Sequence, residues 1–311
     1  MKTIVNKIVL LVVLAGAGMN AQAQQDPMLS QYMFNGLFLN PAYAGSHKYF
    51  SSTLTYRKQW VNFEGAPQTA MAAVDGPLKN ETMGIGLIVM NDQIGITRQN
   101  DIYASYSYNI KINKTAKLAF GVRAGVSQYK ADVTSLQVWD TDDQVFKSNI
   151  ASQLIPKFGF GMYLYDQKWY AGFSVPTLLA YQKDKNFNLD VNQSTFLNRH
   201  YYLTGGLIIE ANDKVKLKPS LLIKYLPNAP IQADINFSAL FQDVIWLGAS
   251  YRTGDALLGI IEYQANNRFR VGYAYDLSLS RMRKYNAGSH ELMIGFDFGK
   301  DFVKVKTPRY F

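Results

Sequence analysis

The sequence predicts an all-β chain: a transmembrane outer-membrane β-barrel of about 14 antiparallel strands, with a plug-like segment ahead of the first strand. Three observations predict it. A secretory leader opens the chain, period-two alternation recurs from Phe50 to Phe298, and the connections between alternating runs fall into short and long classes.

The leader has Lys2 and Lys7, an apolar run from Ile8 to Gly18, and the small-residue site Ala21-Gln22-Ala23. Residues 1–23 therefore read as a signal peptide whose cleavage leaves Gln24 first, and the apolar run is too short for a membrane-spanning helix. Cysteine is absent, which excludes a Cys-anchored lipoprotein and a disulfide framework. Aromatic residues make up 14% of the chain, charged residues 18%, and the net charge is +9. No long apolar run follows the leader, which excludes a helical-bundle membrane protein. The positive charges are scattered, so nucleic acid is not an expected partner, whereas outer-membrane lipid is.

Residues 24–49 form the next unit. The stretch from Asp26 to Ser46 is mostly apolar or aromatic, yet Pro27, Gly36 and Pro41 break it as helix or central strand. A segment so apolar needs burial, and the expectation is that it sits inside or beneath a wall formed by the rest. An ordinary loop with a short helical turn fits the local residues equally well. Tyr32, Phe34, Asn35, Asn40, Pro41 and Tyr43 are its candidate plug or partner residues, joined by Arg57 and Trp60 from the adjacent predicted strand.

The wall is expected over residues 50–298. Leu54, Tyr56 and Trp60 share one face of the first strand, opposite Thr53, Thr55, Arg57 and Gln59. A short, weak strand covers Thr69 to Asp75. Ile85, Leu87 and Val89 alternate with Gly84, Gly86 and Ile88. Ile102 to Ile110 and Leu118 to Val126 make the clearest hairpin, turning near Asn113. The scheme repeats at Phe158–Leu164, Trp169–Val175, Tyr201–Glu210, Val215–Tyr225 and Ile235–Phe241. It continues at Ile245–Tyr251, Leu257–Gln264, Phe269–Asp276 and Glu291–Phe298. Residues 299–311 read as a basic tail.

Tight turns near Asn113, Gln167, Asp213, Gln242 and Asn266 fall on one side of such a wall. The long stretches Lys130–Ile155, Pro176–Arg199 and Leu277–Gly288 fall on the other, the asymmetry of outer-membrane barrels. A secreted β-sandwich would also alternate. It would not need aromatics at the ends of so many apolar faces, such as Tyr56, Trp169, Tyr225, Tyr251, Tyr263 and Tyr275. The polar face carries many glycines, among them Gly84, Gly121, Gly161 and Gly272, beside Arg123, Lys216, Lys218, Lys224, Asp234 and Glu291. Inward glycine lets another segment approach the wall; it also relieves the bending that closure requires.

Little points to catalysis. His47, His200 and His290 lack ligand spacing and read as surface residues, and no Gly-x-Ser-x-Gly elbow occurs. Asp140, Asp142 and Asp143 lack the glycine and distal glutamate of a calcium loop. Gly84-Ile85-Gly86 lies within a strand, not at a dinucleotide site. Neither enzyme activity, cofactor nor metal is expected.

The segment 26–46 carries Asp-Pro, Ser-Gln-Tyr and Asn-Pro-Ala-Tyr-Ala-Gly; Tyr56-Arg57-Lys58-Gln59-Trp60 and Asn91-Asp92-Gln93-Ile94-Gly95 follow. In this combination the chain resembles the PorP/SprF family over essentially its whole mature length, with Gly36 where proline is more usual. The resemblance implies an outer-membrane barrel of the type IX secretion and gliding-motility apparatus of Bacteroidota. One branch of the family links the secretion components to a periplasmic, peptidoglycan-binding lipoprotein. The other pairs with one secreted cell-surface adhesin, or its C-terminal domain, and serves its export or retention. The resemblance implies the adhesin-partner role first; a passive or hydrophobic-substrate channel is the competing class.

Overall fold

A strand with apolar side chains on one face and polar ones on the other must hide its backbone groups and match two environments. In lipid only a closed wall does both. The computed structural model of the chain describes residues 27–78, 81–135, 150, 151, 154–180, 199–227 and 229–299. It forms such a wall of 14 antiparallel strands. In order they are β1 (Phe50–Lys58), β2 (Gln68–Pro77), β3 (Met83–Ile94), β4 (Thr97–Lys111) and β5 (Lys117–Ala131). Then come β6 (Ile155–Tyr165), β7 (Trp169–Ala180), β8 (Tyr201–Leu207, resumed as Ile209–Asn212), β9 (Val215–Tyr225) and β10 (Gln232–Phe241). The wall ends with β11 (Ile245–Arg252), β12 (Ala256–Gln264), β13 (Phe269–Ser278) and β14 (Ser289–Phe298).

Each strand pairs with its sequence neighbours, and β1 pairs with β14 from Phe50↔Phe298 to Lys58↔His290, so the sheet has no open edge. β8 counts as one strand because both halves pair with β9, on either side of the inward Ile208. The apolar faces read from the sequence point outward: Leu54 is 56% exposed, Val122 55% and Phe237 53%. The polar faces are buried, with Arg57, Lys218 and Arg252 each 1% exposed. The pattern is therefore inverted relative to a water-soluble fold and matches a wall standing in lipid. Outward tyrosines ring both margins: Tyr56, Tyr225, Tyr251 and Tyr275 towards one end, Tyr263 with Trp169 towards the other.

The turn end carries connections 78–82, 112–116, 166–168, 213–214, 242–244 and 265–268. At one of these, the three-residue 242–244, Gln242 (φ 51°) and Asp243 (φ 56°) both take left-handed backbone, and Val244 N donates back to Phe241 O at 2.9 Å to close the turn. The loop end carries the longer 59–67 and 279–288, together with tight hairpins such as 95–96; β5 ends there at Ala131, beside the paired Ile150 and Ala151, and β7 ends there at Ala180.

Several boundaries differ from expectation. β2 runs the full length of the wall, because Ala70 and Ala72 are small but still alternate with the inward Thr69, Met71 and Ala73. Trp60 is not in a strand: β1 stops at Lys58, and Trp60 takes φ 41° in the connection that follows. Val175 was expected outward and pairs in register with Phe160, yet is 4% exposed where the strand meets a bulge that shifts the β6–β7 register between Phe158 and Phe160. Pro176, which has no N–H to give the ladder, sits at that bulge. The signal peptide, the tail beyond Gly299 and the aspartates at 140–143 lie outside the described residues.

Candidate functional site: the segment enclosed by the wall

Residues 27–46 run as three short turns, Tyr32–Phe34, Gly36–Leu39 and Pro41–Tyr43, punctuated by Asn35 and Asn40. The breaks follow from the residues. Pro41 has no N–H and suits the first position of a turn, and Asn40 caps that turn by accepting from Ala42 N at 2.9 Å. Almost every side chain is buried, including Leu29, Tyr32, Met33, Phe34, Leu37, Leu39 and Tyr43.

Their partners are inward-facing residues around the whole circumference. Phe34 lies 6.0 Å from the Trp246 ring of β11, and Lys218 Nζ of β9 stands 5.7 Å over Phe34. Arg123 of β5 donates to the carbonyls of Leu37 and Phe38. Ser174 of β7 donates to Leu39 O at 2.7 Å, and Ser107 of β4 to Ala44 O at 2.6 Å. Asn40 Nδ2 donates to Met162 O of β6 at 2.8 Å. Tyr43 meets Tyr163 edge-on at 5.6 Å, and its ring lies so close to Gly36 that a Cβ there would overlap it. A proline at position 36 would need that ring to move. Tyr32, Asn40 and Tyr43 line, with Tyr163, Tyr170 and Thr204, a cavity of about 30 Å³, room for one water.

One end of the segment is held by charge. Arg57 donates to Ser30 Oγ at 2.5 Å, to Asp276 Oδ2 at 2.8 Å and to Glu291 Oε2 at 3.3 Å. Glu291, 0% exposed, also accepts from Ser30 N at 2.6 Å and Gln31 N at 2.8 Å. Ser30 Oγ donates to Asp276, and Arg252 bridges Asp276 at 3.5 Å and Asp234 at 3.0 Å. Two guanidinium groups thus face three buried carboxylates, and Arg252 also reaches the more exposed Asp255 at 3.5 Å. The segment's own N–H and O–H groups supply further donors that buried carboxylates need.

This cluster lies at the loop-side ends of β1, β13 and β14. The other end of the segment, Gly45, rests against Gly76, Pro77 and Gly84 at the turn-side ends of β2 and β3. His47 Nε2 sits there 3.1 Å from Asp75. The segment therefore spans the lumen from loop end to turn end.

Seven of the eight residues singled out from sequence are brought together here: Tyr32, Phe34, Asn35, Asn40, Pro41, Tyr43 and Arg57. Trp60 is not among them; its backbone N donates to Ser289 Oγ at 3.2 Å on the loop side. Ser30, Gln31, Asp75, Asp276 and Trp246 were not singled out. Asp276 and Trp246 do occupy inward positions of the alternation, so that pattern marks them as lumen-facing. His200, read as a surface residue, is 2% exposed and stacks on Tyr202.

The inward glycines divide between two uses. A Cβ on Gly121 would overlap the backbone at Pro41 and Ala42, and one on Gly161 the side chain of Asn40. At Gly125 and Gly295 the same atom would instead strike the Tyr103 and Arg270 side chains of the wall. Gly121→Val is accordingly expected to loosen the segment by about 1–3 kcal/mol while the wall still forms. Faster protease cleavage within 27–46 would register it. Gly259→Val, at an outward position with open space, is the control and should change nothing.

Comparison with known proteins adds one family. The family model described as type IX secretion system membrane protein PorP/SprF matches residues 21–296. No curated protein matches the chain. Among solved structures, a deletion mutant of the TodX monoaromatic hydrocarbon channel is 12% identical, TM-score 0.47, covering 84% of this chain and 92% of that one. A Pseudomonas aeruginosa FadL homologue is 11% identical, TM-score 0.42, covering 90% and 95%. A COG4313 outer membrane channel from Pseudomonas putida F1 is 8% identical, TM-score 0.41, covering 88% and 100%. Likenesses this distant say nothing of what this chain does.

Proposed function

Because the chain belongs to the PorP/SprF family of type IX secretion membrane proteins, we propose that it holds one secreted cell-surface adhesin at the outer membrane during export or retention. The observation that supports this reading is the filled lumen. With residues 27–46 packed against strands on every side, the loop-side rim is left as the surface on which a polypeptide can dock.

That rim is built for contact. Connection 59–67 is tied to 279–288 through Val61 N to Gly288 O and Ala287 N to Val61 O, both 2.8 Å. The tie presents Phe63, Leu279 and Tyr285 to solvent, Tyr285 at 64% exposure, beside the turn Arg281–Lys284. Apolar and aromatic residues held on paired backbone form a rigid platform with cations at its margin. The work asked of the barrel is surface complementarity, with no chemistry.

Purification from native outer membrane in mild detergent, with mass spectrometry of whatever remains bound, tests this. One large secreted protein is expected, and it should be lost from the Phe63→Ser/Tyr285→Ser variant. Recovery of a periplasmic peptidoglycan-binding lipoprotein would shift the role to a link within the secretion apparatus. Recovery of the barrel alone would favour a channel.

A further inference from the structure

The lipid-facing side of the wall is uneven. β2 turns Ala70 and Ala72 outward between Leu54 and Tyr56 of β1 and Val89 of β3, with Ile102 of β4 beyond. Small side chains between large ones leave a groove of about 500 Å³, the size of a ligand pocket. Its loop-side margin is polar: Asn91 Nδ2 donates to Asn100 Oδ1 at 2.7 Å.

One outward step further towards the loop end, the ladder registers place six residues in a row across β14, β1, β2, β3, β4 and β5. They are His290, Lys58, Gln68, Gln93, Arg98 and Lys130. Lys58, Arg98 and Lys130 are exposed, and the row contains no carboxylate. At the matching level across the barrel, just beyond Tyr251, stand Ala233, Thr253 and Asp255. Among the described strand residues the row thus sets three cations above the groove, apart from Arg281, Arg283 and Lys284 of the connection 279–288. Tyr56, in the row beneath, marks the lipid–water boundary, so the cations sit at headgroup height.

We propose that this arc binds an acylated, phosphorylated glycolipid of the outer leaflet, of the lipid A type. One acyl chain lies in the groove over Ala70 and Ala72, and the phosphates meet Lys58, Arg98 and Lys130. The Asn91–Asn100 pair faces the ester region between them. An apolar protein segment would fill the groove but would leave the cation row unmatched. This inference is independent of the adhesin reading, since neither the rim nor the enclosed segment takes part.

The test uses the purified full-length barrel and lipid A as the probe, with native mass spectrometry to count bound lipid. One lipid A should stay on the wild-type chain. The Lys58→Gln/Arg98→Gln/Lys130→Gln variant should bind about a hundredfold more weakly, at about fivefold per charge. Ala70→Leu/Ala72→Leu, which fills the groove and keeps the cations, should lose binding by about tenfold or more. Both variants change outward residues only, and retained heat-modifiable migration on gels checks that each still folds. Equal binding by wild type and either variant would overturn the site. So would equal retention of phosphatidylglycerol in competition, or a polypeptide in place of lipid on the native protein.

Discussion

Deleting residues 27–46 is expected to turn a barrel that conducts little into an open pore, raising single-channel conductance by about tenfold or more. Walls of about eight strands are filled by their own side chains, whereas walls of 16–18 strands leave a water channel. At 14 strands the lumen is wider than the wall can fill, and the segment fills it with Leu29, Tyr32, Met33, Phe34, Leu37, Leu39 and Tyr43. Each such side chain fully buried is worth about 1.5–3 kcal/mol, so the segment does not leave on its own. The wall closes through β14–β1 and β8–β9 ladders that make no use of the segment, so the shortened barrel should still form. Planar-bilayer recording checks this, and conductance unchanged by the deletion would show that wall side chains close the lumen unaided.

Arg57→Ala should release the loop-side end of the segment. It leaves Glu291, 0% exposed, and Asp276, 2% exposed, without the cation that both face. Removing one partner from a buried ion pair costs about 3–5 kcal/mol, far more than the pair gains over an apolar replacement. At 1.4 kcal/mol per tenfold, the opened population of residues 29–31 should rise by about 100-fold to 1,000-fold or more. Amide hydrogen exchange at Ser30 and Gln31 reads this directly, because both N–H groups donate to Glu291. Combining Arg57→Met with Glu291→Met should cost less than the two single changes summed. Protection that survives Arg57→Ala would mean that apolar packing alone holds the segment.

The wall was legible because its rule is local. Tyr106 and Tyr108 face lipid while Ser105 and Ser107 face the lumen, and a period of two announces that without any partner strand. The glycines of the polar face were legible for the same reason. The charged clamp was not. Arg57 and Glu291 are 234 residues apart and meet because β1 and β14 pair in one register out of several. Alternation constrains register only to even steps. Trp60 misled because it continues the alternation of Leu54 and Tyr56, while the chain leaves the sheet at Lys58 to form the tie with 279–288. Val175 misled because it borders the bulge at Pro176, where three residues, 176–178, oppose the single Gly159 and the alternation lapses until Leu179 pairs with the outward Phe158. Local pattern gave direction; non-local pairing gave contact.

The segment's heading has a topological consequence. Ser30 lies among the loop-side ends of the strands, and Gly45 among the turn-side ends, where Phe50 then begins β1. The polypeptide thus descends the axis before it ascends the wall, and its first described residue, Pro27, stands across the hydrocarbon layer from its fiftieth. With short turns facing the periplasm, a probe attached near Pro27 would report from the cell exterior. One in the 213–214 turn would report from within.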